Sequence, residues 1–442
     1  MRQERDALEL RKHSLLLIGL ALAIAASAST WFYIDWILRA TQLAEATAHN
    51  RPRGNLSDLY PRWLGARELL RHGRNPYSPE ITREIQQGYY GRPIDPARSE
   101  DPKDQQAFAY PVYVVFLIAP TIDLPFNTVQ KYFRWLLLGL AVATVLSWLY
   151  VLRWRPPSGI VLIFIVLMLG WLPMVQGMKL QQLSLLVAGL LAGCASFLAG
   201  GWLLLAGLLL ALATIKPQLT WPLVLWLLFW AGSDWQSRRR LVFGFGIVML
   251  ILLGGAHWIL PGWLPRFIAG LGQYHRYTQG QSVLTSLFGL LAGRVLGAAC
   301  LLTSAICVWR LRRRPASTVD FGNAVGVVLA LTIVIAPMSA LYNQVLLAPA
   351  ILGLLRSEAA DEPILPSIRR ARAVGYFVFV WPWIATIGLG IFYPWLTPDL
   401  REHLWPVPLY SSYMTPVFVF GLALLNTWKC EADCLPQSEA AE

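Results

Sequence analysis

Ser57-Asp58-Leu59-Tyr60 lies within a polar stretch of about seventy residues, Asp35 to Gln106, in a chain that is otherwise mostly apolar. The motif predicts the start of a short amphipathic helix. Ser57 is suited to cap it, Pro61 is tolerated in a first turn, and Leu59, Trp63, Ala66 and Leu70 share one face. His72-Gly73 predicts its end, and Asn75-Pro76 follows. Such a helix would lie on a membrane surface with Trp63 at the interface. A carboxylate in its first turn, at headgroup level, points to an enzyme whose reaction lies at that surface. The plain alternative is a carboxylate favoured there by the helix dipole, an effect of about 0.3–1 kcal/mol.

Lys216 is the second candidate. It stands between two short apolar runs in Ala213-Thr214-Ile215-Lys216-Pro217-Gln218, and a charge at membrane depth defaults to a functional hypothesis. An ammonium there suits a lipid-linked phosphate, and a lysine snorkelling from an ordinary turn is the alternative. Lys179, in Gly177-Met178-Lys179-Leu180-Gln181-Gln182, has the same two readings. Tyr274-His275-Arg276-Tyr277-Thr278-Gln279 mixes aromatics with cations, which suits a sugar phosphate or an interfacial aromatic belt. Tyr342-Asn343 place hydrogen-bonding groups at another helix start. The sequence has no Gly-rich phosphate loop, no His/Cys metal cluster and no Asp-x-Asp pair, so neither metal nor cofactor is expected. Cys430 and Cys434 lack a companion pair or histidine. A nucleotide-sugar enzyme would need a cytoplasmic domain, and a donor carried on a membrane lipid fits the chain better.

These residues must be positioned by helices in a bilayer. Hydrophobic residues make up 56% of the chain and charged residues 14%, and apolar runs of roughly 18 residues recur, so the class is an all-α polytopic membrane protein. The net charge of +12 comes from clusters at Arg153/Arg155, Arg238-Arg239-Arg240, Arg310 to Arg314 and Arg369-Arg370/Arg372. Clusters in short loops mark the cytoplasmic side and speak against a nucleic-acid partner. Ala26-Ser27-Ala28 after a basic start resembles a signal-peptide end, but the apolar run continues to Ile34, so an uncleaved first helix over 14–34 is expected. The run 112–123 is short and bounded by prolines, which predicts a re-entrant or interfacial segment.

Further spans are expected at 128–152, 160–175, 183–199, 202–214, 218–231, 241–260, 295–309, 321–336, 342–355, 373–392 and 412–428, about twelve in all with both termini inside. The chain then forms one membrane domain, 1–429, with an external loop at 35–110 and a cytoplasmic tail at 430–442. In this arrangement Gln176 to Ser184, Ile215 to Gln218, Gln273 to Ser282 and Ala336 to Gln344 all fall outside, on the side of Asp58. Four polar interruptions on one face predict a site built from many helix ends.

At these residues the chain resembles glycosyltransferase family 87, the polyprenol-phosphate-sugar-dependent transferases of the GT-C superfamily. Ser57-Asp58-Leu59-Tyr60 and Asn75-Pro76-Tyr77 resemble the start of the family's first external loop, and Phe108-Ala109-Tyr110-Pro111 resembles its F-x-Y-P element. Gln182-Leu183-Ser184-Leu185-Leu186 resembles G-Q-x-N-L-L, Ile215-Lys216-Pro217 resembles L-K-P, and Pro337-Met338-Ser339 through Pro349 resembles S-P-x-S-W. Gln181 stands where the family has glycine, Ser184 where it has asparagine, and Ala340 and Tyr342-Asn343 where many members have tryptophan and histidines.

The resemblance implies a GT-C-type fold and transfer of a sugar, mannose first among them, from a polyprenol-phosphate donor to a glycan or glycolipid acceptor hydroxyl. The reaction would lie at the extracytoplasmic face of the cell membrane. By the resemblance the external-loop aspartate, Asp58, is the general base of an inverting displacement. Tyr60, Lys179, Gln182, Lys216, His275, Arg276, Tyr342 and Asn343 are the expected substrate contacts. A transporter or flippase of lipid-linked saccharides, or a polymerase, is the alternative.

Overall fold

The computed structural model describes residues 2–48, 50, 57–278, 280–337, 340–360 and 366–432, with side chains except those of 2–10, 277, 278 and 429–432. Every regular element among them is a helix. Among the described residues six helices are long and apolar enough to cross a membrane, Arg11–Ala48, Phe126–Val151, Trp235–Ile259, Leu290–Arg313, Pro366–Trp395 and Pro398–Trp428, or seven with the bent pair Ser158–Leu169 and Leu172–Leu180 as one span. Cys434 and most of the expected tail lie outside the described residues, as does the side chain of Cys430.

The first helix corrects the expected boundary at Ile34. It runs as Arg2–Phe32, widens over Tyr33–Leu38, and continues as Arg39–Ala48. No glycine or proline interrupts Leu20 to Ala48, and the residues after Asp35 are mostly good helix formers, so polarity alone does not end the helix. The widened turn is fixed from both sides. Tyr33 donates through its hydroxyl to the carbonyl of Trp405 at 2.7 Å, and Asp35 pairs with Lys179 at 2.7 Å.

The apolar run expected at 160–175 is two helices, Ser158–Leu169 and Leu172–Leu180, bent by 53°. Backbone carbonyls freed at a break inside a membrane need partners. The indole of Trp31 donates to Leu169 O at 3.1 Å and that of Trp383 to Gly170 O at 2.9 Å. The run at 342–355 also divides, into a tight turn Leu341–Leu347 and a helix Ala348–Ala359 with Pro349 in its first turn. The segment at 112–123 holds only a five-residue helix, Val114–Ile118, too short to cross.

Two helices form in the loop after the first helix, Tyr60–His72 and Pro79–Tyr90. The first ends at Gly73 (φ 65°), a left-handed cap that only glycine adopts freely. Its apolar face is buried as expected, through Leu59, Trp63 and Ala66, with Leu69 joining them. Two details differ. Ser57 does not cap: the helix starts at Tyr60, and the buried Ser57 hydroxyl has no hydrogen-bond partner. Trp63 is not at an interface but 5% exposed, donating to Thr121 O at 3.1 Å and packed on Phe126.

The helix Val319–Ile335 is buried along nearly all of its length, as a helix apolar on every side requires. Helices Leu203–Ala213 and Trp235–Ile259 pack backbone to backbone at Gly207 and Gly244. A Cβ on either would strike main-chain atoms of the other helix. Several helices end around one cavity, where their polar termini meet the loop.

Candidate active site

The four polar interruptions meet. Gln182 precedes helix Leu183–Ala199, Lys216 precedes helix Pro217–Gly232, Tyr274 and His275 end helix Trp263–Thr278, and Tyr342 and Asn343 lie in the turn after Val319–Ile335. With Asp58, Arg62, Asp104, Gln106 and Tyr110 of the loop they line one cavity of about 430 Å³.

Asp58 is held by the end of helix Leu172–Leu180. Its N–H donates to Leu180 O at 2.9 Å, across the turn that also presents Gln182. That turn is formed by Gln181 at φ 52°, a left-handed conformation in which non-glycine residues are uncommon. It is the position where the resembled family has glycine. The side-chain amide of Gln181 donates to Gln130 O at 2.7 Å, tying the turn to helix Phe126–Val151.

From Asp58 a chain of hydrogen bonds runs inward. The Gln182 amide donates to Asp58 Oδ2, and its Oε1 accepts from Lys216 Nζ at 3.0 Å. Lys216 also donates to Ser184 Oγ at 2.6 Å, and Ser184 donates to Asn343 Oδ1 at 2.6 Å. Lys216 has only donors, so it fixes the Gln182 oxygen toward itself and the NH₂ toward Asp58. The carboxylate then keeps Oδ1 for another donor.

Two cations share the Tyr110 ring. The Arg62 guanidinium stacks 4.4 Å from its centroid and Lys216 Nζ lies 5.6 Å from it, with Tyr342 at 5.2 Å from the same ammonium. Arg62 Nη1 donates to Asp58 O at 2.8 Å, as the i,i+4 spacing allows. Tyr110 itself is held by the Tyr77 hydroxyl, which donates to its carbonyl at 2.6 Å. The Asn75-Pro76-Tyr77 and Phe108-Ala109-Tyr110-Pro111 motifs are therefore joined in space.

Burial pushes the Asp58 carboxyl above the usual range. Arg62 opposes this, Asp104 adds to it, and Lys216 and the Gln182 hydrogen bond oppose it again. Burial also raises Asp104, against the Gln106 N–H and Arg62. Among the described residues no three His, Cys, Asp or Glu side chains gather as a metal site.

Of the expected contacts, Gln182, Lys216, His275, Tyr342 and Asn343 line the cavity with Asp58, whereas Tyr60, Lys179 and Arg276 do not. Tyr60 packs edge-on against Phe126 and lies against Gly88. Lys179 is paired with Asp35 over the ring of Trp31. Arg276 is exposed on helix Trp263–Thr278. Tyr274 lines the cavity too, from the motif singled out in the sequence, whereas Arg62, Asp104, Gln106 and Trp221 are lining residues that sequence reasoning missed. Of these, only Arg62 carried a readable signal, its place one turn after Asp58.

The family model described as Glycosyltransferase family 87 matches residues 108–337, just over half of the chain. The chain belongs to glycosyltransferase family 87. No curated protein and no solved structure matches it. Membership makes this chain a glycosyltransferase, and its apolar helices make it a multi-pass membrane protein. The segment matched to family 87 supplies Gln182, Lys216, Tyr274 and His275, while Asp58, Arg62 and Asp104 precede it and Tyr342 and Asn343 follow it.

Proposed function

We propose that this family 87 enzyme transfers a hexose, mannose in the first instance, from a polyprenol phosphate to an acceptor hydroxyl at the outer membrane face. The supporting observation is the chain Asp58–Gln182–Lys216. A carboxylate from outside the matched segment is oriented by a glutamine that a buried lysine holds inside it. In this reading Asp58 Oδ1 takes the proton of the acceptor hydroxyl as its oxygen bonds to the anomeric carbon. The bond from that carbon to the phosphate oxygen breaks, its electron pair leaves with the phosphate, and configuration inverts. Lys216 and Arg62, on the common ring of Tyr110, stabilise the charge developing on the leaving phosphate. His275, Tyr342 and Asn343 line the remaining volume for sugar contacts.

The polar helix ends fit a site facing the extracytoplasmic side, with the shorter apolar helices completing a GT-C arrangement of about twelve spans in one domain. A flippase of lipid-linked sugars would place broken helices at its binding site. The broken pair Ser158–Leu180 has carbonyls at its break closed by Trp31 and Trp383, which weighs against that alternative.

Asp58→Asn in the purified full chain, with polyprenyl-phosphate mannose and product analysis, tests the proposal. The amide retains the shape but cannot accept the proton, so turnover falls by about 10²–10⁴-fold with an unchanged unfolding midpoint. A folded variant that turns over at the wild-type rate would remove Asp58 from the chemistry.

A further inference from the structure

The cavity holds a second carboxylate that the proposed transfer step does not use. Asp104 lies in the irregular stretch between helix Pro79–Tyr90 and Phe108, and its two oxygens are held separately. The Gln106 N–H donates to Oδ1 and the Gln106 side-chain amide donates to Oδ2, each at 3.0 Å. For one residue to reach back with both groups, Gln106 adopts φ 50°, a left-handed conformation uncommon for a side chain of this size.

The surrounding backbone is anchored as well. Tyr90 donates through its hydroxyl to Asp104 O at 2.7 Å, and the Gln86 amide donates to Gln105 O at 3.0 Å. A carboxylate accepts about four hydrogen bonds, and the clasp from Gln106 uses one on each oxygen. The remaining lone pairs belong to a group fixed in place on the cavity wall.

We propose that Asp104 is a specificity-determining residue that accepts hydrogen bonds from hydroxyls of the sugar moiety, and so reads which hexose occupies the cavity. Two oxygens held in one orientation match a neighbouring pair of sugar hydroxyls, whose spacing and direction differ between epimers. Asp58 and Asp104 then divide the work. The first is oriented by a glutamine tied to the lysine and removes a proton, and the second is oriented by its own loop and stays an acceptor. This inference rests on the reading that a sugar phosphate occupies the cavity, with its phosphate at Arg62 and Lys216.

A site built to hydrogen-bond a hydroxyl rejects the analogue lacking it, because the buried partner is left unpaired. The test uses the full chain in nanodiscs and reads binding by tryptophan fluorescence, with mannose 1-phosphate and its monodeoxy analogues as probes. In the wild type, one monodeoxy analogue, or the two that lack neighbouring hydroxyls, binds more weakly by about tenfold or more. In Asp104→Asn mannose 1-phosphate itself binds more weakly, and those same deletions cost little further. Asp104→Glu, which keeps the charge but moves it along the loop, changes which deletion matters.

Variants at Asp104 that discriminate the analogues as the wild type does overturn the inference. So does a wild-type protein that binds mannose 1-phosphate and all its analogues alike, or none of them. The binding readout separates this inference from the transfer reading. A protein that discriminates hydroxyls through Asp104 yet transfers nothing from polyprenyl-phosphate sugars sinks the second and leaves the first standing.

Discussion

Helix Pro217–Gly232 carries a buried cation beyond each end, and the two have different partners. Lys216 is 5% exposed and Arg238 6%, so burial does not distinguish them. Arg238 closes on the joint itself: Nη1 donates to Trp230 O and Arg312 O, both at 2.8 Å, and Nη2 to Arg313 O at 3.0 Å, with Ser233 Oγ and Asp234 of the same turn at 3.1 and 3.7 Å and the guanidinium 4.0 Å from the Trp230 ring. These bonds clamp the C-terminal end of one helix to the turn at Leu311–Arg313. Although Arg238 itself lies in the first turn of the next helix, Trp235–Ile259, at its positive end, it faces the negative end of the Pro217–Gly232 dipole. Lys216 bonds to side chains that line the cavity, and it stands at the positive end of the same dipole. Two positive features placed together oppose each other unless an anion arrives, and a helix N-terminus with a lysine is a common receptor for phosphate. A buried cation therefore marks a site when its partners belong to a cavity. With the opposite partners, it marks a structural joint.

The comparison breaks if the two cations can be exchanged in their effects. Arg238→Ala removes three main-chain hydrogen bonds at once, and each lost charged hydrogen bond carries about 1.5–3 kcal/mol. The expected result is a fall of several degrees in the unfolding midpoint in detergent, with transfer per folded molecule close to wild type. Lys216→Ala should show the reverse. Donor efficiency drops by about tenfold to over a hundredfold in a donor titration at saturating acceptor, with a smaller change in the unfolding midpoint. An Arg238 variant that folds normally but loses donor use, or a Lys216 variant that keeps it, would remove the distinction.

What the sequence shows of this site follows the same division. Lys216 and the convergence of four polar interruptions were legible, because charge in an apolar run and basic clusters in short turns are local signals. Lys179 carried the same local signal as Lys216. It differs only through Asp35, 144 positions away, which pairs with it. The break between Leu169 and Leu172 was hidden for a similar reason. The groups that make it tolerable are indoles at 31 and 383, remote in the chain. Ser57 looked like a cap and is not one, since tertiary packing starts the helix three residues later. Asp104 was invisible, because an irregular loop has no periodicity to place a side chain, and its clasp depends on the backbone conformation of Gln106.

The two aspartates give the finest test of the division, through pH. Asp58 must be ionised to act as a base, so kcat/KM is lost as pH falls through its pKa in the free enzyme. An ordinary aspartate titrates near about 3.9, and burial raises Asp58, so the acid limb should lie above the usual carboxylate range. Its neighbours push in known directions. Asp104 disfavours a second negative charge in the cavity, so Asp104→Asn should move the limb to lower pH. Arg62 favours it, so Arg62→Gln should move the limb to higher pH. Both shifts are read from kcat/KM against pH, separately from any loss of affinity, because a change in binding alone scales the profile without displacing it. Opposite displacements from the two variants identify the titrating base as a carboxylate lying between Asp104 and Arg62. A limb that stays in place in both variants assigns the titration to another group, and Asp58 would then be held by Gln182 and Lys216 for structure, as Arg238 is by its carbonyls.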